Sequence, residues 1–115
     1  MQAFYNQGGD LIAFHNQNMI LQPDSFDVLG LVLGNCIFNK NAEIIGKLFQ
    51  QKVYQLSGEM IAYQPEETLP VPENFVLTNS LQQAWRILMG IKNHDSPWVN
   101  PNGKWSKKKF TDFLQ

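Results

Sequence analysis

Over residues 4–63, apolar and polar positions follow one another in short runs on a recurring plan. Two apolar residues lead to an amide, then a polar turn, then three residues ending in a small one. Phe4–Ala13 matches Val53–Ala62 position by position, and Ile37–Gly46 follows the same plan. Ile20–Gly30 fits with one extra residue in its middle, so the starts at 4, 20, 37 and 53 lie 16, 17 and 16 apart. The turns carry Gly8-Gly9, Pro23-Asp24-Ser25, Asn41-Ala42 and Ser57-Gly58, residue types that suit hairpin turns and tolerate positive φ. Asn16-Gln17-Asn18, Gly34-Asn35 and Gln50-Gln51 read as return turns between copies. The pattern predicts four β-hairpins, about eight short antiparallel strands, over 3–64.

A lone hairpin is marginal in water, so the four are expected to bury their apolar faces collectively. Ile12, Leu29, Ile45 and Ile61 form one expected layer, and Leu11, Val28, Ile44 and Met60 a second. Ala13, Gly30, Gly46 and Ala62 are small in every copy, which predicts close strand approach, around a pseudo-four-fold axis. Closure of the sheet would also remove exposed strand edges.

These units, FYN…GG-LIAF, IFN…EIIGK and VYQLSGEMIAY, resemble the small bacterial proteins of the 4-fold beta flower family over about residues 4–63. The resemblance implies four hairpins set like petals about an axis. It brings no activity, substrate or catalytic residue. The second copy departs from the pattern through Pro23 and its extra residue, so its turn is expected to be distorted.

After Gln64 the pattern changes. Pro65, Pro70 and Pro72 among Glu66, Glu67 and Glu73 predict an extended connector over 65–78, with Phe75, Val76 and Leu77 pinning it to the hairpins or adding a short strand. A helix is predicted over about 80–92, capped by Asn79 or Ser80, with Leu81, Ala84, Trp85, Leu88 and Ile91 on one face, and it is expected to pack against the hairpins. A second helix is predicted from a Ser106 cap to about Leu114, with Phe110, Phe113 and Leu114 as its apolar stripe. The fold class is therefore α+β, mainly β, with 79–115 as a helical tail of one domain spanning 1–115.

The 115 residues fit one core, and an apolar content of 43% is enough to build it. A formal charge of −1 argues against non-specific nucleic-acid binding by the whole molecule. Cys36 has no second cysteine to pair with. Residues 1–20 lack the basic start and apolar run of a signal peptide, and the longest apolar stretch, Val28–Leu33, is too short to span a membrane. The expected location is the cytoplasm.

Candidate chemistry is sparse. His15 and His94 are in no metal-ligand spacing, no nucleophile or phosphate-loop motif occurs, and no cofactor or metal is called for. His15 is expected in a surface or capping role, and Cys36 as an unreactive buried thiol. Asn6, Gln22, Asn39 and Gln55 hold the same place in all four copies, either satisfying their own turns or converging on a ligand. His94, Asp95 and Trp98 mark a candidate pocket between hairpins and tail. Lys104, Lys107, Lys108 and Lys109 against Asp112 give the end of the chain a charge of about +3. Three readings of function follow. The first is a non-catalytic binding module for a protein, a peptide or another copy. The second is a small-ligand protein or enzyme using the pocket, and the third a nucleic-acid contact through the lysines.

Overall fold

The computed structural model describes residues 1–92 and 95–115. Its strands are β1 (Gln2–Tyr5), β2 (Leu11–Asn16), β3 (Met19–Leu21), β4 (Val28–Leu33), β5 (Cys36–Asn39), β6 (Ile44–Phe49), β7 (Lys52–Gln55) and β8 (Met60–Tyr63). Helices α1 (Leu77–Gly90) and α2 (Phe110–Phe113) follow. Every strand pairs antiparallel with the next, and β8 returns to β1, closing a barrel in chain order. The chain is thus a mainly-β α+β protein with two short C-terminal helices.

The turns take the positive φ that hairpin geometry demands, also at residues whose type does not favour it. Gln17-Asn18 and Gln50-Gln51, the two-residue return turns, hold positive φ at both positions, which follows the right-handed twist of the flanking strands. At the opposite end of the barrel, the backbone N–H groups of Asn6, Gln22, Asn39 and Gln55 donate to the carbonyls of Asp10, Asp27, Glu43 and Glu59. Gly9, Ala42 and Gly58 close their loops at positive φ, and Phe26 does so in the loop with the extra residue. Phe26 is held there by rings on both sides, stacked on Phe14 at 6.2 Å and edge-on to Phe75 at 5.4 Å. That packing supports a conformation unusual for an aromatic residue.

Inside the barrel, Phe4, Ile20, Ile37 and Val53 are fully buried. Ile61 joins them, and Ile12, Leu29 and Ile45 pack half-buried against the same cluster. The second expected layer is not interior: Leu11 is exposed, while Val28 and Ile44 belong to a cluster outside the barrel wall. The tight approach at the small residues is real at Gly30 and Gly46, where a Cβ would lie 2.3 Å from the carbonyl oxygens of Phe38 and Tyr54. Phe110, Phe113 and Leu114 of the chain's end complete the interior cluster.

Helix α1, with Leu77, Ala84 and Ile87, and Ile91 just after it cover the outer face around β4. This explains why β3, β4 and β5 read as almost unbroken apolar runs: they are buried on both faces. The helix differs from the expectation in three ways. It starts at Leu77, inside the expected connector, and no side chain caps it. Ser80 is buried and donates its Oγ–H to the Phe26 carbonyl at 3.2 Å instead of capping. Leu81, Trp85 and Leu88 face outward rather than inward. The final helix is also shorter than expected, because Ser106 Oγ accepts the Lys108 N–H at 3.1 Å and closes a local turn before α2. Phe75 pins the connector as expected, without forming a strand.

Candidate functional site

Asn6, Gln22, Asn39 and Gln55 stand at the turn end of the barrel but do different work. Asn39 is buried, and its Oδ1 accepts the N–H groups of Asn41 and Glu43 at 3.0 Å while its Nδ2 donates to Glu43. Asn6 makes the same reach, with Oδ1 accepting from the Asp10 N–H at 2.9 Å and Nδ2 donating to the Asp10 carboxylate. In the other two turns serines engage the acid: Ser25 Oγ–H donates to Asp27 and Ser57 Oγ–H to Glu59. The longer Gln22 and Gln55 take no part in those bonds. The two asparagines therefore serve their own turns, and of the four amides Asn6 alone borders the cleft beside the first turn.

A cleft of about 670 Å³ opens instead between the first turn and the chain's last segment. Asn6, Gln7 and Gly8 form one wall, and Trp105 to Thr111 the other, with Ile12 and Ile61 between them. Three of the four predicted lysines, Lys107, Lys108 and Lys109, belong to it, and Lys104 does not. Lys104 instead holds the segment in place through its carbonyl, which accepts the Met60 N–H at 2.8 Å, while the Ser106 N–H donates to the Met60 carbonyl at 2.7 Å. That pairing adds Trp105 as a parallel bridge on β8.

Trp98 lies apart from this cleft, 85% exposed, over a smaller hollow of about 330 Å³ with Phe49, Tyr54 and Lys47. Its indole N–H donates to Asn100 Oδ1. Asp95 is exposed, and His94 lies outside the described residues. Cys36 is a buried free thiol, 3.6 Å from Ser96 Oγ.

Two features were missed in the sequence. His15 is neither exposed nor a cap: it stacks on Phe4 at 5.4 Å and shares a 2.5 Å hydrogen bond with the buried Gln64, Nδ1–H donating to Oε1. Burial holds its pKa below the ordinary histidine value, the Gln64 bond opposes this, and the nearby amino terminus adds to the lowering. The second feature is the outer face of α1, where Leu81, Trp85, Leu88 and Met89 are 40–71% exposed. Their i, i+4, i+7, i+8 spacing was visible but pointed equally well to a buried stripe.

Among the described residues, no His, Cys, Asp or Glu cluster is placed to hold a metal ion, and no helix is long and apolar enough to cross a membrane. Comparison with protein-family models, curated proteins and solved structures finds no match to this chain. What the fold defines is a class: a closed eight-stranded antiparallel barrel, covered by one helix and filled at its turn end by the chain's final residues.

Proposed function

We propose that this chain is a non-catalytic binding module that associates with a second copy of itself through the outer face of α1. The observation that carries the reading is the exposed row on α1, with Leu81 at 45%, Trp85 at 60%, Leu88 at 40% and Met89 at 71%. Apolar side chains gathered on one exposed face mark interaction surfaces more often than scattered ones do. A copy of the same face is the partner that fits. Arg86 is the only charged residue among the 14 of α1, so two copies brought together meet little like-charge repulsion. The face also carries both a ridge and a hollow, since Trp85 borders a groove formed with Thr78, Leu81, Gln82 and Arg86. An isologous two-fold interface needs that self-complementarity.

The same proposal takes the four hairpins as copies of one unit about a pseudo-four-fold axis, as the resemblance to the 4-fold beta flower family implies. Support comes from the backbone hydrogen bond shared by all four turns and from a strand irregularity at the matching place in each hairpin. A bacterial cytoplasmic setting belongs to the proposal as well.

Sedimentation equilibrium across the micromolar range is the test. The expected result is a monomer–dimer equilibrium that Trp85→Glu shifts at least tenfold toward monomer, because a carboxylate would be desolvated at the contact. The variant should keep the parent's circular dichroism spectrum, as the side chain is exposed. A parent chain that stays monomeric at its highest soluble concentration would sink the proposal.

A further inference from the structure

We infer that the cleft between the first hairpin turn and the C-terminal segment is a binding site for a small phosphate monoester carrying a flat ring. The argument starts from charge. Lys107, Lys108 and Lys109 are exposed and line one cleft, on a chain whose formal net charge is −1. Asp10, on the facing turn, is engaged by Asn6 Nδ2 at 3.2 Å. Three cations gathered on one wall raise the local concentration of anions, and a compact ammonium suits phosphate.

The rest of the cleft says what the anion carries. Ile12, Ile61 and the buried Phe110 are apolar, and Trp105 is half-buried. One contact of the indole is already made, edge-on to Tyr63 at 6.4 Å. Inorganic phosphate would leave these surfaces unused, and an uncharged ring would leave the ammonium groups unused. A ligand with a ring at one end and a phosphate at the other uses both, and about 670 Å³ accommodates a molecule of nucleoside monophosphate size. The segment is positioned by backbone rather than by the lysines, through Met60 on both sides of Trp105 and through the Ser106–Lys108 turn. The lysine side chains can therefore be removed without loosening the wall.

Calorimetric titration of the full chain with adenosine 5′-monophosphate, adenosine and inorganic phosphate tests this, with nitrogen–proton spectra following the three indole N–H signals. The monophosphate should bind at least tenfold more tightly than either fragment, and more weakly as salt rises. The Trp105 indole signal should move while those of Trp85 and Trp98 stay. Lys107→Ala with Lys108→Ala should weaken binding at least tenfold, whereas Lys104→Ala, outside the cleft, should change it less than twofold. Absence of monophosphate binding at millimolar concentration overturns the inference. So does adenosine or inorganic phosphate binding as well as the ester, or an unmoved Trp105 signal. Each of these results is independent of whether the chain dimerises through α1.

Discussion

Burial of one imidazole makes the barrel's stability depend on pH. His15 stacks on Phe4 and shares its Nδ1–H with Gln64, so inside the barrel the neutral ring is favoured and its pKa is held below the ordinary value of about 6.5. Protons then bind the unfolded chain more readily than the folded one. The stability contributed by the neutral pair is fully present above about pH 6.5 and declines as the pH falls from there toward the lowered folded value. The slope contributed by one histidine is at most about 1.4 kcal/mol per pH unit. Thermal unfolding between pH 7.5 and 5 should show Tm falling with pH, and His15→Gln should flatten that fall. An equally steep fall in the variant would mean that His15 is not the group responsible. The same residue shows what a pattern of apolar positions cannot register. Alternation places His15 on a strand but is silent on the partner forty-nine residues away that makes an inward-facing ring affordable.

At the scale of elements, α1 offers two stripes and the fold buries the lighter one. Leu81, Trp85 and Leu88 are the bulkier set, yet Leu77, Ser80, Ala84, Ile87 and Ile91 face the barrel. Small Ser80 and Ala84 suit close approach, and two polar anchors fix the choice. Ser80 donates to the Phe26 carbonyl, and Gln83 Oε1 accepts the Val28 N–H at 2.7 Å. Ile87→Ala should therefore cost about 2–4 kcal/mol, while Leu81→Ala should stay within about 0.5 kcal/mol. Urea unfolding followed by tryptophan fluorescence at nanomolar concentration, below the expected association range, reads both, and a larger loss at Leu81 would place the wrong face inward. The hairpins were legible because the turn inside each one announces itself in Gly, Asn, Asp or Pro and each strand in two or three apolar residues, whereas the return turn Gln50-Gln51 carries none of these types. The helix face was not, since periodicity reports that a stripe exists and says nothing of which surface waits for it. The lysine cleft was half legible. Lys107, Lys108, Lys109 and Asn6 were each singled out, but the backbone pairing at Met60 that brings them together spans more than forty residues.

On the scale of the whole molecule, the barrel closes by a seam unlike its other joints. Neighbouring strands elsewhere pair through three or four residues, whereas β8 meets β1 only at Tyr5 and Tyr63. Side chains and outside segments make up the difference. Tyr5 stacks on Tyr63 at 5.6 Å, Trp105 packs edge-on against Tyr63, and Leu69 exchanges backbone hydrogen bonds with Met1. The seven sequential joints link residues close in the chain, so loop closure costs little there, while the seam joins the first strand to the last. It should be the last part to form and the first to open. Amide hydrogen exchange should show Tyr5 exchanging at least tenfold faster than Ile37, which sits in the middle of doubly covered β5. Trp105→Ala should widen that gap, because it strips the seam of a ring without touching the wall under α1. If Tyr5 and Ile37 exchange at one common rate in both chains, the barrel opens only by global unfolding, and the sparse joint is as firm as the rest.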